Sequence, residues 1–334
     1  MSDGLLAAAF VLGAAVSLAM SWVLVSRLER VGARLGLPEG LLGMLAALAA
    51  DAPEITAAVS ALAAHHSAVG AGVAIGSNVF NLAALLGFAA LVAGRIELHR
   101  RVIVLEGAVA LGVAAAAVAV VGGALSAPAG LGVVLAFLVP YLLLLGLAHE
   151  RLSHLGLPAR VASWLTTAVV EEEAELESAI RPRPGGAREA LVAAVATVVV
   201  VGASVAMESS ATTLGTREGV PDIIVGGLIL AAVTSLPNAV AAVYLAKRGR
   251  GAATLSTAMN SNALNIAVGL LVPASIIGGL GASTGDGVLV AGSYLGMTAL
   301  ALVSAFGARG LGRREGVLIM CAYVAFVVAL IATA

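Results

Sequence analysis

Two carboxylates three residues apart, Asp51 and Glu54, bracket a proline inside a hydrophobic stretch long enough to cross a membrane. That spacing puts them on adjoining faces of one helix. At such a depth they repel each other and lose their water, so one or both must take a proton or hold a cation. Downstream of Pro53 and Glu54 come Ser77, Asn78 and Asn81, and the same pattern returns 184 residues later as Pro237, Asn238, Ser261, Asn262 and Asn265. Carboxylate, amide, hydroxyl and carbonyl oxygens make a hard-oxygen set, suited to Ca2+ or Na+ rather than to Zn2+ or copper. No His or Cys is among the repeated motif residues themselves. A duplicated polar cluster in hydrocarbon reads as one site assembled from two halves.

The prolines give each half a further property. Pro53 has no N–H to donate and its ring displaces a carbonyl one turn earlier, so the carbonyls around Ala49 and Ala50 need another partner. Pro237 has the same effect near Val233 and Thr234. A single proline of this kind is a common kink in a membrane helix. Two at matched positions, each followed directly by a polar residue, point to a site.

The elements that position these residues follow from composition. Hydrophobic residues make up 60% of the 334 and charged residues 11%, with a mean hydropathy of +1.07. A soluble chain carries about a quarter charged residues, so this is a polytopic membrane protein. Ten stretches can each supply the roughly 20 apolar residues of a membrane helix: 4–25, 39–63, 69–94, 102–123, 129–148, 188–207, 223–246, 253–277, 288–306 and 316–333. The runs are continuous, not alternating, which excludes a membrane β-barrel. The expected fold class is an all-α membrane protein of ten helices.

Of the 18 Lys and Arg, all but Arg217 fall on one side of that ten-span arrangement. The positive-inside rule then puts both termini outside and the central loop in the cytoplasm, as in a plasma (inner) membrane. The first span lacks a positive N-terminal flank and carries Asp3 there, so it reads as a retained helix and not as a signal peptide. Expected partners are the lipid bilayer and small inorganic cations, with no nucleic acid; the oligomeric state stays open. The single cysteine, Cys321, excludes an intramolecular disulfide and reads as a small core residue.

Five spans, a loop and five more spans force the second half into the membrane upside down relative to the first. The expected organisation is a first five-helix repeat over 1–148 with its motif at 50–81, a loop over 149–187, and a second, inverted repeat over 188–334 with its motif at 234–265. Such repeats place substrate near the midplane and alternate access by rocking one part against another. The register extends beyond the motifs, with Gly43 matching Gly227 and Val59 matching Val243. The loop contains Glu171, Glu172, Glu173, Glu175 and Glu177, expected on a short amphipathic helix starting near Pro158 and read as a solvated acidic face; residues 181–186 read as a linker. His65 and His66 are expected in the outer turn between spans 2 and 3, and Glu106 is expected to pair with Arg100 or Arg101.

The segment Ala50-Asp51-Ala52-Pro53-Glu54 with Gly76-Ser77-Asn78-Val79-Phe80-Asn81, and its echo Thr234-Ser235-Leu236-Pro237-Asn238 with Asn260-Ser261-Asn262-Ala263-Leu264-Asn265, resembles the two α-repeats of the cation/Ca2+ exchanger superfamily, the sodium/calcium exchangers in particular. The resemblance covers nearly the whole chain. It implies that the two repeats build central cation sites. Glu54 matches the first repeat's essential glutamate, Asp51 and Ser235 match a hydroxyl-bearing serine position, and Ser77 and Asn81 match first-repeat ligands. Thr234, Ser261 and Asn265 match ligand positions of the second. The departures are equally specific: Asn238 stands where the second repeat has its glutamate, Asn265 where an aspartate often sits, Ala50 in place of threonine and Asp51 in place of serine. The second repeat therefore has no carboxylate, and the first has gained one.

The resulting expectation is a secondary antiporter without a cofactor, moving Ca2+ or a similar cation against Na+ or H+. Asp51 and Glu54 would supply charge, and Ser77, Asn81, Thr234, Ser235, Asn238, Ser261 and Asn265 neutral oxygens. Monovalent Na+/H+ (or K+) exchange is the alternative that the missing second glutamate favours. An intramembrane enzyme wants two carboxylates converging on one water, commonly from separate helices, and Asp51 and Glu54 share a helix. A non-transporting sensor or scaffold is kept open by Asn238.

Overall fold

The computed structural model describes residues 2–37, 39–146, 160–161, 163–170, 184–281 and 284–334. The expected acidic run at 171–177 and the first half of the linker, 181–183, lie outside them. The described chain is built almost wholly of helices: α1 (Asp3–Arg34), α2 (Glu39–Ala50), α3 (Ala52–Ala63), α4 (Ser67–Ala93), α5 (Arg100–Val121) and α6 (Ala127–Gly146). After the loop come α7 (Ala187–Glu218), α8 (Asp222–Thr234), α9 (Leu236–Lys247), α10 (Gly251–Ile277), α11 (Gly285–Ala308) and α12 (Arg313–Thr333). Two three-residue strands, β1 (Arg95–Glu97) and β2 (Gly310–Gly312), pair antiparallel and tie the end of α4 to the turn between α11 and α12.

Among the described residues eight helices are long and apolar enough to cross a membrane, and two bent pairs, α2–α3 and α8–α9, bring the number to as many as ten. The protein is an integral membrane protein, and the ten apolar stretches of the sequence fall on these elements. The duplication runs deeper than the motifs. The bounds of α1, α3 and α4 recur in α7, α9 and α10 at the same 184-residue offset. α4 and α10 form the centre, with 78% and 72% of their most apolar windows buried, against 28% in α1 and α7. On the outer helices Leu12, Trp22, Val198 and Val303 remain exposed, as expected of side chains that meet lipid.

The two longest helices exceed expectation. α1 was expected to end near residue 25 and α7 near 207, yet each has 32 residues, a length of about 48 Å at 1.5 Å per residue. Both pass well beyond a roughly 30 Å hydrocarbon layer, because their polar ends contain no proline and find packing partners. They lie against each other: a methyl on Gly13 would meet the Ala203 carbonyl at 2.8 Å, and the Ser17 and Ser204 hydroxyls bond at 2.7 Å.

Glycine also brings α4 onto α8. A side chain on Gly72 would stand 2.8 Å from the Gly227 amide nitrogen, and one on Gly76 would stand 2.6 Å from the Gly227 Cα. In lipid, where helices gain little from hydrophobic association, small residues that admit close backbone approach are a main source of packing. This contact holds the segment before Thr234 against the helix that carries Ser77 and Asn81.

Candidate cation site

Both prolines do what their chemistry requires. The α2–α3 pair bends by 54° and the α8–α9 pair by 46°, with Pro53 and Pro237 in the first turn of α3 and α9. The residues at the two breaks, Asp51 (φ −78, ψ −7) and Ser235 (φ −82, ψ −3), adopt nearly the same conformation. The carbonyl that Pro53 leaves free finds its partner in α1, where the Ser21 hydroxyl donates to Ala49 O at 3.0 Å. No sequence pattern pointed to Ser21. The residue at its matched position in the other half is Val205, which cannot do the same.

α4 and α10 cross between the two breaks. Asn78 Nδ2 donates to the Asn262 backbone carbonyl at 2.9 Å, and Asn262 Nδ2 donates to the Asn78 carbonyl at 3.3 Å. A second reciprocal pair lies beside the first: Asn81 Nδ2 to Asn262 Oδ1 and Asn265 Nδ2 to Asn78 Oδ1, both 3.2 Å. The frame of the site is thus two-fold in its bonds as well as in its sequence. Asn78 and Asn262 were visible as a repeated pair in the sequence and received no role there; they brace the two central helices. Each central helix then widens into a π-helical segment, Leu82–Phe88 and Asn265–Leu271, a departure often found at functional sites.

The charges break that symmetry. Asp51 and Glu54 are fully buried, and the second half supplies their polar neighbours. Asn238 Nδ2 lies 2.6 Å from Asp51 Oδ1 and 3.3 Å from Glu54 Oε1, Ser261 Oγ donates to Asp51 Oδ1 at 2.6 Å, and Asn265 Nδ2 donates to Glu54 Oε2. Asn81 Nδ2 and Asn238 Nδ2 both reach Ser261 Oγ at 3.2 Å. Ser235 is buried within reach of the Glu54 carboxylate. Ser77 and Thr234, also fully buried, turn their hydroxyl protons to the carbonyls of Val73 (2.6 Å) and Leu230 (2.9 Å) one helical turn back. Their lone pairs are left unengaged by that bond.

Five of the nine expected residues from both halves, Asp51, Glu54, Asn238, Ser261 and Asn265, therefore form one hydrogen-bonded group, Asn81 joins it through Ser261, and Ser235 lies beside it. Ser77 and Thr234 sit on the adjoining turns. Asp51 Oδ2, Asn81 Oδ1 and Asn265 Oδ1 are buried without a hydrogen-bond partner. Buried oxygens of this kind are costly unless something fills them. A hard cation is a fitting occupant, because these three are acceptors and the Ser235 hydroxyl, also buried without a partner, has lone pairs to offer beside them. Among the described residues no three of His, Cys, Asp and Glu come together.

The profile of the family described as "Sodium/calcium exchanger protein" matches residues 5–148 and 189–332. The chain belongs to this family. The two matched blocks coincide with the two halves that share the 184-residue offset. Over 62 residues this exchanger-family chain is 42% identical to sodium/potassium/calcium exchanger 4 of Homo sapiens and 39% identical to sodium/potassium/calcium exchanger 3 of Rattus norvegicus. Those matches cover 19% of this chain and 10% of each relative, so the chain spans about a tenth of the curated relatives it matches. Among solved structures, the H+/Ca2+ exchanger CAX superposes with a TM-score of 0.69 at 13% identity, over 97% of this chain and 82% of that one. The sodium-calcium exchanger NCX_Mj gives 0.60 at 20% identity, over 98% and 100%. At these identities the two share the fold.

Three other expectations concern polar residues outside the group. His65 and His66 are exposed in the turn between α3 and α4, as read. Glu106 has a partner that was not foreseen, since Tyr141 of α6 donates to it at 2.9 Å, while the Arg100 guanidinium lies 4.8 Å from the centre of the Phe306 ring. Glu106 is one buried acid outside the central group. Glu208 is another, buried in the extended part of α7 that the hydropathy of the sequence did not reveal.

Proposed function

We propose that the protein is a secondary antiporter that exchanges a small cation, Ca2+ in first place, for Na+ or H+ by alternating access. The observation that carries this reading is the bonding across the pseudo-two-fold: both acids come from α3 and its preceding break, and their donors come from α9 and α10. A site shared in this way changes whenever one half moves against the other. Ten spans in two inverted five-helix halves, 1–148 and 188–334, joined by a cytoplasmic loop over 149–187, complete the proposal. Both termini face out, in the plasma membrane. The arginine distribution and the matched helix bounds support this arrangement.

The amide nitrogens of Asn238 and Asn265 donate to the two carboxylates. A carboxamide carries both a donor and an acceptor end, so either amide can present its oxygen to an ion. Asp51 and Glu54 then contribute charge, and Ser77, Asn81, Thr234, Ser235, Asn238, Ser261 and Asn265 contribute neutral oxygens; Ca2+ takes about six to eight such oxygens. Two ionised carboxylates without a counter-ion oppose being carried through a dry barrier. Movement between the two accesses therefore proceeds with a cation or a proton on board, and leak without exchange is suppressed.

The second reading is monovalent exchange, Na+ or K+ against H+. Asn238 favours it, because one flank of the site is neutral and a divalent ion loses half of an opposed carboxylate pair. The names of the curated relatives include potassium as well as sodium and calcium. Purified protein in liposomes decides between the readings: 45Ca2+ uptake driven by an outward Na+ or H+ gradient supports the first. Na+ or K+ flux coupled to H+ without Ca2+ uptake supports the second. Absence of all these fluxes overturns both.

A further inference from the structure

Matched places in the two halves are not in matched states. On the arginine-rich side a cavity of about 400 Å3 opens between α1, α2 and α9 and runs from Glu29 past Ser21 and Tyr244 to Asn238 of the central group. The repeat counterparts of α1 and α9 are α7 and α3, on the opposite side. There α7 packs along α3, and the contact is polar. Glu208, 3% exposed, accepts hydrogen bonds from Ser60 of α3 at 2.9 Å and from Thr212 of its own helix at 3.1 Å. His66, in the turn that follows α3, lies within electrostatic reach of the same carboxylate. Ser60 is six residues beyond Glu54 on α3, about 9 Å along the helix toward that turn at 1.5 Å per residue.

We propose that Glu208 is the outer clasp of the transporter, a positioning residue that holds α7 on α3 while the central group is reached from the arginine-rich side. The proposal rests on the transporter reading above. Opening the outer route must part α7 from α3, which breaks the Ser60 bond and turns a carboxylate from a buried contact into a charge lining the entrance. The inner side is built differently. The positions that match Glu208, Thr212 and Ser60 are Leu24, Leu28 and Tyr244, so the inner side has no carboxylate at the place that matches Glu208. The outer closure is therefore made by hydrogen bonds to an acid, which need directional contact, and the inner side has no such acid at the matched position. Glu208 makes the outer entrance acidic when open, where incoming cations arrive; the inner entrance has Glu29 at its mouth instead.

Thiol labelling of the full chain in proteoliposomes tests the clasp. With Cys321 replaced by Ala, a reporter cysteine at Ala57, fully buried about one turn from Ser60 toward Glu54, is exposed to a membrane-impermeant maleimide from the arginine-poor side. Glu208→Ala is expected to speed labelling about ten-fold, the scale set by losing buried hydrogen bonds to a charged group. Ser60→Ala is expected to speed it by a smaller factor, and Glu208→Gln, which still meets both hydroxyls, to stay near the parent rate. Parent-like labelling in Glu208→Ala overturns the proposal; if that variant does not fold, parent-like labelling in Ser60→Ala does so. Labelling reads exposure and not flux. A protein that moves no ion yet labels faster keeps the clasp and loses the transport reading, whereas full flux with unchanged labelling removes the clasp alone.

Discussion

The break between α2 and α3 and the break between α8 and α9 are the same piece of architecture with different chemistry. Each bends at a proline, each presents its break residue in the same backbone conformation, and each faces the crossing of α4 and α10. Yet the first carries Asp51 and Glu54 where the second carries Ser235 and Asn238. Duplication fixed the frame, which is why Asn78 and Asn262 clasp each other's backbone reciprocally. Charge is a property of side chains, so it could drift to one half without disturbing that frame. The two acids are held in hydrocarbon by donors from the neutral half, and the neutral half would have no charge to offer a cation without them.

If this division holds, matched substitutions should have unmatched effects. The largest is at the break residue: Asp51→Asn should weaken Ca2+ binding about 100-fold, on the scale of removing one partner of a buried charged group, while Ser235→Ala at the matched position should cost less than about five-fold, the scale of one neutral hydrogen bond. Titration calorimetry on the purified protein reads both, and equal losses would break the comparison. Next in size is Asn238→Glu, which returns an acid to the second half opposite Glu54; we expect Ca2+ affinity to rise about ten-fold, with the monovalent ion losing ground. Unchanged selectivity in that variant would mean that Asn238 does not face the ion.

The frame, by contrast, should respond evenly. Asn78→Ala and Asn262→Ala each remove one arm of the reciprocal clasp and one acceptor for an amide, and each should destabilise the protein by about 1–3 kcal/mol. Thermal unfolding in detergent checks this, and a large difference between the two would show that the frame is not two-fold in energy. Smallest is Ser21→Ala, which leaves Ala49 O without its donor and should cost about 1 kcal/mol. Val205→Ala at the matched position removes no hydrogen bond and should cost only the packing of two methyl groups.

How much of this was legible in the sequence depended on whether a residue repeats. Asp51, Glu54 and the amide and hydroxyl positions were found because their spacing recurs 184 residues on, and the structure gathers them. The prolines announced the two bends for the same reason of local chemistry. Ser21 was not legible, since its bond to Ala49 joins residues 28 apart in sequence and has no counterpart at Val205. Glu208 was missed because hydropathy falls before the helix ends: the polar turns after residue 207 lower the average while α3 still packs against them. The role of Asn78 and Asn262 was hidden in a different way, because a side chain that braces a backbone leaves the same trace in a sequence as one that binds an ion.

The central claim is that a cation is carried by acids from the first half alone. Its most direct test is 45Ca2+ uptake into liposomes by Glu54→Gln beside wild type, under the same Na+ or H+ gradient and with equal amounts of folded protein. The account predicts loss of nearly all uptake in the variant, by about two orders of magnitude; uptake at the wild-type rate would contradict it.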